Sequence, residues 1–104
     1  MNEKKLRGAI GLARKAGKLA LGDRAVRESV LTGRTVLVLA ESSASEGTKK
    51  RMRYLCENMS TEFYEIRTEE PLSHSVGRDT VKLFAVCDEG FGRLIESTIK
   101  EGTE

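Results

Sequence analysis

The chain has 104 residues, 38% hydrophobic and 33% charged, enough for one modest hydrophobic core and so for a single domain over residues 1–104. Its apolar residues recur at regular spacings, which excludes a disordered chain. No stretch is apolar for long enough to span a bilayer, and the start, Met1-Asn2-Glu3-Lys4-Lys5-Leu6, has no apolar signal region. A cytoplasmic protein without membrane contact is therefore expected. The net charge of +2 divides unevenly: residues 1–34 carry nine Lys/Arg against three acids, a net of +6, and residues 35–104 carry nine against thirteen, a net of −4. A surface cationic in one part only suits a phosphate backbone, although a solvated helix face would give the same count.

In chain order, residues 3–16 predict an amphipathic helix with Leu6, Ala9, Ile10 and Ala13 inward and Gly17 as its terminator. Gly8 and Gly11 within it predict close contacts with a neighbouring element. A short extended piece, Lys18 to Leu21, follows. Asp23 is read as the N-cap of a second helix, about 24–32, with Ala25, Val26, Ser29 and Val30 inward and Gly33 at its end.

Thr35-Val36-Leu37-Val38-Leu39-Ala40 is a continuous apolar run and predicts the most buried strand, covered by helices on both faces. Ser43-x-x-Glu46 reads as a capping box opening a third helix to about Met59. Its inner face carries Met52, Leu55, Cys56 and Met59, and its outer face Lys49, Lys50, Arg51 and Arg53. A strand at 63–66 comes next, then a short helix from Pro71 to Gly77 and a strand at 81–87. A final helix follows, capped by Asp88, with Phe91, Leu94, Ile95 and Thr98 inward. This alternation predicts an α/β fold: a four-stranded mixed or parallel sheet between two helical layers.

The spot richest in chemistry is Gly22-Asp23-Arg24-x-x-Arg27. A strand-to-helix junction offers free backbone N–H groups and the positive end of a helix dipole, and Arg24 and Arg27 share one helical face beside it. Lys18 can join them across the loop. RNA phosphates and base edges suit such a place; so does an ordinary capped helix with solvated arginines. A nucleotide-binding enzyme is excluded by pattern, because neither a P-loop nor G-x-G-x-x-G is present. His74, between Ser73 and Ser75, makes a poor dyad, since adjacent helical residues point apart. Cys56 and Cys87 with one histidine cannot supply the four or so ligands of a structural zinc site, so both thiols are expected to be reduced and buried, with no metal and no cofactor. Of the five aromatics most fit the core pattern, which favours a folded RNA over single strands stacked on aromatic rings.

Several runs in order then carry a resemblance: Gly11-Leu12-Ala13-Arg14-Lys15-Ala16-Gly17-Lys18, Gly22, Val36 to Glu41, Lys49-Lys50, Leu72 to Gly77, and Val86-Cys87-Asp88-Glu89-Gly90-Phe91. The chain resembles the kink-turn RNA-binding family of ribosomal proteins, in particular its small bacterial ribosome-associated members. The resemblance implies a three-layer α-β-α sandwich with a mixed four-stranded sheet and binding to a sharply bent structured RNA such as ribosomal RNA; no catalysis is expected, since no acid/base or metal constellation emerges, and a monomer is expected when the protein is free. It further implies that the loop and N-terminus of the second helix (Gly22, Asp23, Arg24, Arg27) grip the RNA together with a second loop, Arg78, Asp79 and Thr80. The family's gripping run reads Gly-x-Asn-Glu-x-x-Lys. The run here is one residue shorter, so that Arg27 matches the lysine and Asp23 is left as the candidate for reading a base edge. The alternative is a protein-interaction adaptor of the same fold without RNA affinity.

Overall fold

In the computed structural model, which describes residues 1–78 and 80–101, the helices are α1 (Glu3–Lys15), α2 (Asp23–Leu31), α3 (Glu46–Asn58) and α4 (Glu89–Lys100). The strands are β1 (Leu19–Leu21), β2 (Leu37–Glu41), β3 (Glu62–Ile66) and β4 (Leu83–Val86), and Leu72–Val76 forms a short 3₁₀ helix. The strand order is β1-β4-β2-β3; β2 and β3 run parallel, and β4 is antiparallel to both β1 and β2. The sheet is thus mixed, and the expected sandwich is the one observed.

All five residues of β2 are buried, and Thr35 and Val36, which open the expected run, lie half-buried just before it. Alternate residues of the two central strands feed two cores, because side chains change face at each step. Leu37, Leu39, Phe84 and Val86 pack with Leu6 and Ile10 of α1, Ile95 of α4 and Leu72 of the 3₁₀ helix. Val38, Ala40, Leu83 and Ala85 pack with Val26 and Val30 of α2 and Met52 and Cys56 of α3.

Several local expectations shift. Asp23 does not cap α2. Gly22 does, at φ +90° and ψ 163°, a conformation that side chains rarely adopt, so the helix begins one residue earlier and Asp23 is its first member. The cap of α3 is Ser45, not Ser43: its Oγ accepts from the Thr48 N–H at 3.1 Å. Lys49, expected outside, is 4% exposed. It shares the inward stripe with Met52 and Cys56, and its ammonium lies 2.9 Å from Glu65 and 3.1 Å from Glu46 and donates to the Ser42 carbonyl at 2.9 Å. A buried cation is tolerated when each donor has a partner. Met59 and Leu94, expected inward, are partly exposed, as is Ala25.

On α4 the inward place beside Ile95 belongs to Gly92, where a Cβ would come 2.7 Å from Cγ1 of Val36; glycine lets α4 close onto the sheet. Gly11 similarly meets the Ser75 carbonyl at 3.5 Å, but Gly8 has open space around it, so only one of the two expected contacts exists. Cys56 is fully buried, which pushes its thiol up to about 11. Cys87 is only half-buried, with its sulfur 3.2 Å from the Ser29 hydroxyl.

Candidate nucleic-acid interface

Two helices of one layer, α2 and α3, begin at the same end of the sheet. Between their N-termini lies a cleft of about 300 Å³, lined by Gly22, Asp23, Ser45, Thr48, Arg78, Thr80 and Lys82, with Ala44, Val81 and Leu83 beneath. Gly22 is fixed from behind by the sheet: its N–H donates to the Leu83 carbonyl at 3.0 Å, which holds the turn against β4. Glycine provides no side-chain cap, so the first N–H groups of α2 are left to the cleft at the positive end of the helix. The start of α3, by contrast, is closed by Ser45.

The fold therefore brings together four of the eight expected site residues, Gly22, Asp23, Arg78 and Thr80, although more than fifty positions separate the two pairs. Asp79 lies outside the described residues. Arg24 and Arg27 are exposed on α2 but do not line the cleft, and no ion pair within the described residues engages either. Lys18 is exposed at the opposite end of β1, roughly 13 Å of extended chain from Gly22. Its carbonyl accepts from the Cys87 N–H at 2.9 Å, so it belongs to a neighbouring surface.

The sequence reading missed Ser45, Thr48 and Lys82, and placed Arg51 on the outer face of α3 without its link to Asp23. Arg51 of α3 reaches Asp23 at 3.2 Å and holds its carboxylate at the cleft's edge. Lys82 donates to the Ser43 carbonyl at 3.2 Å and so places a cation on the rim. The signal for Lys82 was hidden because it reads as part of the last strand, which begins only at Leu83.

The second wall of the cleft is anchored from inside. Glu41, at the end of β2, is buried, and its carboxylate accepts from the Leu72 N–H at 2.6 Å and from the Ser43 hydroxyl at 3.4 Å. One carboxylate thus ties both the start of the 3₁₀ helix and the loop entering α3. Gly77, at φ +70°, ends the 3₁₀ helix and turns the chain toward Arg78.

Other candidate chemistry is not gathered here. His74 is exposed, with Nδ1 3.9 Å from Glu70. Among the described residues no three His, Cys, Asp or Glu stand close enough to hold a metal ion, and no helix is long and apolar enough to cross a membrane.

The model of the Ribosomal protein L7Ae/L30e/S12e/Gadd45 family matches residues 4–95, which takes in the sheet, the cleft and most of α4. The chain belongs to this family. Two relatives are each named RNA-binding protein YlxQ. The one from Enterococcus faecium is 27% identical over 99 residues, covering 95% of both chains. The one from Bacillus subtilis (strain 168) is 28% identical over 90 residues, covering 86% of this chain and 90% of its own. Among solved structures, a protein of unknown function from Bacillus halodurans C superposes with a TM-score of 0.87 at 28% identity, covering 93% and 98% of the two chains. A Giardia lamblia 15.5kD RNA binding protein shares the fold at a TM-score of 0.76 and 11% identity, covering 95% and 85%. Within the L7Ae/L30e/S12e/Gadd45 family this chain therefore keeps the whole sandwich, and the matched span includes both walls of the cleft.

Proposed function

We propose that this protein is a non-enzymatic, single-domain RNA-binding protein that grips a folded, sharply bent RNA of the kink-turn kind, within or close to ribosomal RNA, and is a monomer when free. The observation that carries the reading is the convergence of Gly22 and Asp23 with Arg78 and Thr80 on one cleft. A helix start without a side-chain cap faces phosphate oxygens well, since its N–H groups and dipole both favour an anion. Arg78 and Lys82 add cations on the far wall, and Arg24 and Arg27 extend the positive surface along α2. Asp23, positioned by Arg51, is the residue suited to accept from a base edge. Naming of the YlxQ relatives as RNA-binding proteins supports the same reading.

The test is binding to a kinked RNA and to an unkinked duplex at several salt concentrations. The kinked RNA is expected to bind more tightly, and Asp23→Ala to relax discrimination between RNA sequences by roughly 1–3 kcal/mol. Absence of any salt-dependent retardation by either RNA would favour the adaptor alternative instead.

A further inference from the structure

The outer face of α3 carries a feature that the proposed grip leaves unused. Tyr54 is 67% exposed, more than any other large hydrophobic side chain among the described residues. The remaining aromatics are engaged within the protein. Phe84 is buried, Phe91 packs against the core, Phe63 lies 5.2 Å beneath the Arg53 guanidinium, and the Tyr64 hydroxyl donates to Glu96 at 2.5 Å. Tyr54 instead borders an open groove of about 430 Å³ with Lys50, Arg51, Arg53 and Glu57. Lys50 and Arg51 stand one helical turn before the ring; Arg51 and Arg53 are paired with Asp23 and Glu65, and Lys50 is in no ion pair among the described residues.

The groove and the cleft share no lining residue, but one ion pair links them. Arg51 lines the groove, and its guanidinium holds Asp23, which lines the cleft, at 3.2 Å.

We propose that this face is a second RNA contact, where Tyr54 stacks on an unpaired nucleobase and Lys50 meets the adjoining phosphate; this rests on the RNA-binding reading above. An exposed aromatic face with a cation beside it is the arrangement that takes single-stranded nucleic acid without regard to sequence. Bases inside a duplex already stack on each other, so the occupant is a single-stranded extension of the folded element.

The experiment compares a kinked RNA with the same RNA carrying a run of unpaired adenosines at each end. Wild type, Tyr54→Phe, Tyr54→Ala and Lys50→Glu are titrated with both. Wild type and Tyr54→Phe are expected to bind the extended RNA more tightly. Tyr54→Ala should lose roughly tenfold on the extended RNA and nothing on the plain one. Lys50→Glu should lower the salt slope by about one unit, again with the extended RNA only. The NMR ring signals of Tyr54 should move only with the extended RNA. Such an exposed ring can be replaced without unfolding, which matching thermal melts verify. Equal binding of both RNAs, unaffected by Tyr54→Ala, overturns the stacking contact and leaves the cleft standing. If wild type binds neither RNA, the RNA reading itself fails.

Discussion

The two helical layers of this sandwich are built differently. The α1/α4 layer buries large side chains, Leu6, Ile10, Phe84 and Ile95, and ties the two ends of the chain together: the Asn2 N–H donates to the Thr98 carbonyl at 2.8 Å and its side chain to Glu101 at 2.8 Å. The α2/α3 layer buries smaller ones, with Val26, Val30, Val38, Ala40 and Ala85 among them, and brings both of its helix starts to the cleft, that of α2 without a side-chain cap. One layer holds the sheet and the other presents a surface. The exposed cations of α4 and α2 differ too. On α4, Arg93 and Lys100 each pair with an acid one turn earlier, whereas Arg24 and Arg27 on α2 have no such pair within the described residues.

Substitutions should separate the two roles. The largest effect on stability belongs to the holding layer: Phe84→Ala is expected to cost about 3–5 kcal/mol, read from urea unfolding. Any loss of RNA binding should then be recovered under conditions that restore folding.

Glu41→Ala joins the two roles. It leaves the buried Leu72 N–H without its acceptor, at a cost of about 1–3 kcal/mol, and frees the wall that carries Arg78. Binding should weaken in this variant even at temperatures where circular dichroism shows it folded. Unchanged RNA affinity in the folded variant would show that the wall does not need its anchor.

Acid should weaken both layers, and the carboxylates of the holding layer can be tested separately. Glu96 is held below the usual 4.5 chiefly by the Tyr64 hydroxyl, and Glu101 by the Asn2 side chain. Groups depressed in the folded state take up protons first in the unfolded chain. Their contribution is present above 4.5 and lost as pH falls through the folded values. Replacing Glu96 and Glu101 by glutamine should flatten the fall of Tm below pH 4.5. Glu65 on the other side, held low by Lys49, would still titrate.

Much of this was legible in the sequence, and what was not has a common cause. The β2 run, the glycines at 17 and 33 and the Asp88 cap depend on neighbours a few residues away, and each sits as expected. Lys49 looked solvated because its main partner, Glu65, is sixteen positions distant on another element. Asp23 looked like a cap because nothing local announces Arg51, twenty-eight positions on. The cleft itself joins segments that only the sheet order brings together, and only the resemblance to a known family paired its two loops in advance.

The smallest expected change in stability is paired with the change in binding that matters most. Arg27→Glu, at an exposed position, should alter stability by no more than about 0.5 kcal/mol. Arg93→Glu, on the exposed face of α4, is its control. The decisive measurement is the affinity of wild type and these two variants for a kinked RNA across a series of salt concentrations. The account predicts that Arg27→Glu binds more weakly and flattens the plot of log affinity against log salt by about one unit, while Arg93→Glu follows wild type. Equal loss in both variants, or none in either, would contradict it.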